Sequence, residues 1–453
     1  MGMPDEPICK KRILSIFQAT RQLLCEPTFV ALHRRRPEDF TRQCKLTFVI
    51  VTLMILQKSL KSLQLRLHEF MAHWFEAGHG DLSVTSGALT HARAKLSPEI
   101  FSQLNQKAVL SNFYGPEYQE AVRRWRGHRL LGMDGSLIRL PCSQELFQEF
   151  SEIAIVNQHG KQDRYPQARI SVLYDLLNDL ALEGQLASSA KGETQLARQH
   201  LALVEADDVV ITDRGYAGYQ WLVECRQHGQ FICRCSCGSF AVVQQLVQRD
   251  EADVSLTITL CAPENQITEL KRLGLPLELR VRFVTLRLST GELEMLATSL
   301  LDELAYPTTC FGEAYWDRWG IETFYGRIKG RLDLENFSGQ TVVAVHQDFQ
   351  ATLFLSNLES VVSASAQSQL AQPSASQRKN PVQVNRAVSL HALKYHVIEL
   401  LASDVPLEQV LMQVEQWLGH NPVRVRKNRK VPRRKESAFR SYNFLRRIRK
   451  IVF

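Results

Sequence analysis

The 453-residue chain predicts an α/β protein: a mixed sheet flanked by helices, interrupted by a β-rich insertion and preceded by a helical N-terminal domain. Three observations carry this expectation. Residues 1–120 follow helical periodicity with few strand runs. From His128 short apolar runs arrive first as a meander and then alternate with helical segments. From Phe240 to Leu304 alternating apolar and polar residues dominate. A chain of this length exceeds one ordinary core and implies two or three domains.

In the N-terminal part, the longest apolar run, Leu46 to Leu56, is about half the ~20 residues that span a bilayer. No basic start followed by an apolar stretch and a small-residue cleavage site is present, so no secretory signal is expected. The stretch DLSVTSGALTHARAKLSPEIFSQL reads as two short helices, with Ser83 as N-cap of the first and Ser97-Pro98 opening the second. Arg93 and Lys95 sit near the turn, as in a helical DNA-binding module or an ordinary helical hairpin.

Residues 121–239 form the first part of the predicted core. RLLGMDGSLIRLP is a strand, and after a polar stretch ARISVLYDLLNDLALEGQLA reads as two strands joined by a turn. GETQLARQHLALVE is helical, DDVVITDRGY a strand ending in a polar turn, YAGYQWLVECRQHG a helix and QFICRCS a further strand. Residues 240–305 form the β-rich insertion, with VSLTITL, LELRVRFVTLRL and ELEMLATSLL as its strands. Residues 306–362 return to the core, 363–380 read as a Ser, Gln and Ala-rich flexible linker, and 381–453 hold C-terminal helices and a basic tail.

Charge is unevenly spread. Arg424 to Lys450 holds thirteen Lys or Arg against Glu436 alone, a local +12, so the remainder carries +8 − 12 = −4. That asymmetry points to a polyanion partner, with DNA, RNA and anionic lipid all meeting the arithmetic. Ten cysteines are scattered singly except Cys233, Cys235 and Cys237. Their spacing lacks the two-residue gap of zinc pairs and reads as packed free thiols in a reducing cytoplasm.

The richest stretch is Tyr315 to Lys329, YWDRWGIETFYGRIK, expected as one long helix. At about 100° per residue, Tyr315, Arg318, Glu322 and Lys329 fall within roughly 60° of one another. Ile321, Phe324, Ile328 and Leu332 form the opposite, core-facing side. Trp319 lies about 40° from Tyr315 on the same wheel. Asp134 interrupts an apolar strand and is followed by Gly135 and Ser136; Asp213 ends another and is followed by Arg214. Each aspartate alone suits a turn or a cap. Two strand-end aspartates and a helix glutamate in one cleft would repel unless cations sit among them. Hard oxygen donors select magnesium or manganese, and two such ions serve in-line phosphoryl displacement.

The DGS block at Asp134, the DRGY block at Asp213 and the Tyr315, Arg318, Glu322, Lys329 set, in that order, resemble the DDE transposases of the insertion-sequence-4 family. The likeness runs from about Leu130 to Glu359. It implies an RNase H-like catalytic core and a cut-and-paste transposase that cleaves element ends and joins them to target DNA. It further implies Asp134, Asp213 and Glu322 as ligands of two divalent cations, Mg2+ with Mn2+ as substitute. Tyr315, Arg318 and Lys329 would contact DNA phosphates, with Trp319, Arg214, Arg93 and Lys95 as further DNA contacts. The implied partners are double-stranded transposon ends and target DNA, with a homodimer in the synaptic complex, no membrane, and a cytoplasmic, nucleoid-associated location. A transposase-derived DNA-binding protein without cleavage and a stand-alone RNase H-like nuclease are the alternatives.

Overall fold

Strand β1, Leu130–Arg139, is apolar on both faces through Met133 and becomes polar from Asp134. It therefore lies in the middle of a sheet and ends at a water-accessible edge. The computed structural model describes residues 6–42, 44–58, 61–75, 84–156, 162–288, 291–370 and 381–425. Among these, β1 pairs antiparallel with β3 (Gln162–Asp175) on one side and parallel with β5 (Val209–Thr212) on the other. Beyond β3 lie β2 (Ser151–Val156) and β4 (Leu180–Ser188), both antiparallel to it. Helix Glu193–His200 leads from β4 to β5, and helix Tyr219–His228 leads to β6 (Gln230–Cys235), which is parallel to β5. The order β4-β3-β1-β5-β6, three antiparallel strands followed by two parallel ones, is an RNase H-like arrangement.

The β3–β4 turn illustrates how local chemistry sets this order. Asp175 accepts the N–H groups of Leu177 and Asn178 through Oδ1, both at 3.0 Å, and Asp179 takes φ 62°. Aspartate tolerates both the side-chain turn and the left-handed backbone better than an apolar residue.

The insertion strands β7 (Ser255–Cys261), β8 (Glu278–Arg287) and β9 (Leu293–Thr298) do not form a body apart. β9 pairs with β6, and the sheet grows to nine strands. Helices Ala241–Arg249 and Ile267–Arg272 accompany them, so the insertion is not purely β. Strand β2 and the first half of β3 occupy what reads in the sequence as a polar stretch. Their faces are mixed rather than alternating, and Pro166 sits inside β3, so neither strand pattern nor breaker rule identifies them.

Helices cover both faces. On one, Ile321, Phe324 and Ile328 pack with Val345, Phe349 and Leu353 against Ile170, Val172 and Tyr174. Burying each such side chain contributes about 1.5–3 kcal/mol. Helix Val342–Leu370 is buried along most of its length and closes on β4 at Gly184, where a Cβ would lie 2.2 Å from the Leu353 Cδ1. This helix also corrects the linker expectation. Residues 363–370 are helical because their serines are satisfied internally, Ser363 by Glu359 at 2.6 Å and Ser365 by Glu415 at 2.7 Å; residues 371–380 lie outside the described set.

The N-terminal region is helical, and its first apolar run forms the buried helix Phe48–Leu56. The helix expected to start at Ser83 is capped by Thr85, whose hydroxyl accepts from Ala88 N–H at 3.1 Å; Ser83 lies outside the described residues. So does the basic tail beyond Val425. Among the described residues no helix is long and apolar enough to cross a membrane. Cys233 and Cys235 are buried in β6, while Cys237 lies beyond it and is exposed.

Candidate active site

Strand β1 continues where β5 stops. Its register pairs Gly132 with Ile211, and two residues further along it brings Asp134 level with Asp213, whose backbone is still extended. By alternation both aspartates lie on the face that carries Gly132 and Ile211.

The helix Trp319–Gly330 lies along that face, in step with β1. Ile321 sits over Gly132, its Cβ 3.6 Å from where a glycine Cβ would be. One turn on, the Tyr325 hydroxyl donates to the Asp134 carbonyl at 2.6 Å. Another turn on, Lys329 Nζ donates to Ser136 Oγ at 2.6 Å and to the Leu137 carbonyl at 2.7 Å. Four helical residues advance about 6 Å and two strand residues about 6.6 Å, so the contacts repeat without drift. On another side of the helix Arg327 pairs with Asp179 at 2.7 Å, and Asp179 is also held by Arg386 at 2.5 Å.

The expected single helix is two, Cys310–Asp317 and Trp319–Gly330, joined at Arg318. Tight bonds from Arg318 N–H to the Tyr315 carbonyl and from Ile321 N–H to the Arg318 carbonyl, both 3.2 Å, keep the two nearly continuous. Tyr315 is 4% exposed and Arg318 6%, so they are not on a solvent stripe as the wheel alone suggests. Tyr315 packs with Val209, Ile211 and Phe311, and burial pushes its hydroxyl up to about 12 against the pull of Arg318.

A cavity of about 320 Å³ is lined by Asp213, Arg214, Arg234, Arg318, Trp319 and Glu322. Arg318 Nη2 donates to Glu322 Oε1 at 2.8 Å. Its guanidinium lies 5.5 Å from the Tyr315 ring centre and 5.4 Å from that of Trp319, which is 44% exposed. Asp213 Oδ1 accepts from Gly215 N–H at 2.7 Å. Arg214 is exposed.

Asp134 has an unforeseen neighbour. Glu193, the first residue of its helix, reaches across Gly135 from the opposite face of the sheet; a Cβ at Gly135 would lie 2.6 Å from the Glu193 Cγ. Glu193 Oε1 accepts from Gly135 N–H at 3.1 Å and from the Tyr216 hydroxyl at 2.9 Å. Burial first, then the Glu193 charge, push the Asp134 carboxyl up to about 7, with Asp213 adding and the Gly135 N–H opposing. In the sequence Glu193 is indistinguishable from an ordinary helix-opening acid. Arg234 was legible in principle as the one charge inside QFICRC; it pairs with Glu294 at 2.8 Å.

Asp213, Glu322, Arg318, Trp319 and Arg214 thus share one cavity, with Asp134 beside Asp213 and Lys329 two turns along from Glu322. Among the described residues no three His, Cys, Asp or Glu side chains converge as a ready-made cage. Each carboxylate is engaged by protein: Glu322 by Arg318, Asp213 by Gly215, Asp134 by Gly135. As donors they nevertheless fit a hard cation, being carboxylate oxygens, and at Asp134 burial and the neighbouring Glu193 and Asp213 charges disfavour a bare anion. Lys95 is exposed but lines a different cavity, with Arg42. Arg93 is corrected outright. It is 7% exposed, donating to Gln347 at 2.6 Å, Ser338 at 2.5 Å and the Ala344 carbonyl at 2.8 Å, and pairing with Asp348 at 3.0 Å. All three guanidinium nitrogens are thus engaged within the fold.

Comparison with known proteins gives three results. The family described as "Transposase DDE domain" matches residues 125–358. "Transposase InsG for insertion sequence element IS4" of Escherichia coli (strain K12) is 24% identical over 218 residues, covering 45% of this chain and 45% of that protein. The chain therefore spans less than half the length of the curated relative it matches. A piggyBac transposase synaptic complex with hairpin DNA aligns over 94% of this chain and 86% of that one at 10% identity, with a TM-score of 0.39.

Proposed function

The chain belongs to the transposase DDE domain family, and from that premise we propose that it is a cut-and-paste DNA transposase. In this reading it cleaves the ends of an insertion sequence and joins them to target DNA. The observation that carries the proposal is the level placement of Asp134 and Asp213 on neighbouring parallel strands, with Glu322 sharing a cavity with Asp213.

Asp134, Asp213 and Glu322 would hold two divalent cations, magnesium with manganese as substitute, which when bound supply Lewis acidity toward the scissile phosphate. Arg318 would hold the phosphate beside the cut, a guanidinium matching two phosphate oxygens at once. Trp319, exposed at the cavity mouth, offers a face on which an unpaired base can stack. Arg214 and Lys329 would hold flanking phosphates, and Tyr315 braces Arg318 from beneath. Double-stranded element ends and target DNA are the substrates, brought together by a homodimer.

The test is plasmid nicking with the DNA that flanks the coding segment as substrate. Wild type should nick only with divalent cations, and Glu322→Gln should lose nicking by roughly a thousandfold or more while still retarding the DNA. Nicking that survives this substitution, or proceeds in a chelator, ends the proposal. One observation favours a second reading, a DNA-binding protein that no longer cuts: Glu322 is tied to Arg318. Wild type that binds the flanking DNA yet never nicks it under either cation would select that reading.

A further inference from the structure

Beyond the C-terminal end of the Trp319–Gly330 helix lies a larger cavity, of about 690 Å³, between the segment that follows this helix and the N- and C-terminal helices. Its walls include Lys58, Lys61, Arg66, His391 and Lys394. Lys58 is 9% exposed, and its Nζ has no hydrogen-bond partner among the described residues. Arg66, 5% exposed, gives Nη2 to the Met54 carbonyl at 2.8 Å, while its Nε finds no partner among the described residues.

Among the described residues, the carboxylates nearby are fewer than the cations. Asp348, fully buried, is taken by Arg93 at 3.0 Å and by the Ser338 N–H at 2.7 Å. Glu69 at the rim is held by Lys61 at 2.6 Å, and Asp333 acts on Lys394. Lys58, Arg66 and Arg93 thus share one buried carboxylate, Asp348, while Lys394 has Asp333 near it. Burial first, then Arg93, Lys394 and Arg66, push the Lys58 ammonium down to about 8, with Asp348 opposing. An uncompensated buried cation is costly, and an anion in the cavity removes that cost.

We propose that this cavity is a phosphate-binding site. Its chemistry suits a backbone phosphate of bound DNA or a soluble oligophosphate. The position favours DNA: from Glu322 to the helix end at Gly330 is about 12 Å of helix rise, or three to four base pairs at ~3.4 Å each. That preference rests on the transposase reading; the anion site itself does not.

The full chain is tested in two arms. In the first, pyrophosphate at matched ionic strength should raise the Tm of wild type by about 3 °C or more, and Lys58→Met should lose most of that shift while Lys58→Arg keeps it. In the second, the slope of log affinity for duplex DNA against log salt should fall by about 1 in Lys58→Met. A change in the second arm alone identifies the DNA backbone, and a change in the first alone a soluble oligophosphate. Wild-type behaviour of Lys58→Met in both arms overturns the proposal. Should Lys58→Met lack a cooperative unfolding transition, Lys394→Gln takes its place, with a reduced pyrophosphate shift expected and an unchanged one overturning. The pyrophosphate arm is read without cleavage, so a wild type that never nicks would sink the transposase proposal and leave this one standing.

Discussion

Arg318 and Arg93 are both candidate DNA contacts by sequence, both are buried, and both pair with a carboxylate, yet their surroundings are opposite. The partner of Arg318, Glu322, is 37% exposed on the wall of an open cavity; the partner of Arg93, Asp348, is 0% exposed. Arg318 Nε has no partner among the described residues, whereas Arg93 directs all three guanidinium nitrogens into the fold. An ion pair facing solvent can exchange its partner for a ligand. A pair enclosed by its own protein cannot, because release would strand two charges without water. Burial of the arginine does not separate function from architecture here; burial of its partner does.

This contrast is open to measurement. Arg93→Ala, which leaves Asp348 charged and enclosed, should cost about 3–5 kcal/mol of unfolding free energy by denaturant titration. A cost below about 1 kcal/mol would mean that the network is not structural. Arg318→Gln should cost about 1 kcal/mol or less in the same titration, since Glu322 can be rehydrated, but should slow cleavage by roughly a hundredfold. Equal stability losses in the two variants would erase the distinction.

A finer test uses pH. The Asp134 carboxyl titrates higher in the folded protein, at about 7, than its ordinary value of 3.8. Its contribution is therefore fully present below about pH 4 and lost as pH rises toward 7. Asp134→Asn should remove that decline and, without divalent cations, stabilise the protein at pH 8 by about 1 kcal/mol, the effect being discounted for partial solvation. Parallel pH profiles for the two proteins would show that the carboxyl is not strained.

The legible parts of the chain are those whose signal is local. Strands β1, β4, β5, β6 and the second half of β3 announce themselves by apolar runs bounded by turn residues, and the core side of the Trp319–Gly330 helix, Ile321, Phe324 and Ile328, follows from period alone. Asp134 and Asp213 stand out as acids that end apolar strands. What escapes is relational. Glu193 matters only because Gly135 lacks a side chain, and Tyr315 is buried because Cys310–Asp317 turns inward on Val209 and Ile211. The serines at 363–370 resemble a linker until Glu359 and Glu415 are brought beside them.

The stepping of Ile321, Tyr325 and Lys329 along Gly132, Asp134 and Ser136 makes the helix and strand behave like a rack and pinion. One residue inserted between Ile321 and Lys329 would rotate everything after it by about 100° and disengage every later tooth. Spacing in this stretch is therefore under tighter constraint than composition: outward positions such as Thr323 and Gly326 are exposed and touch none of these teeth, whereas the count of residues sets every contact that follows.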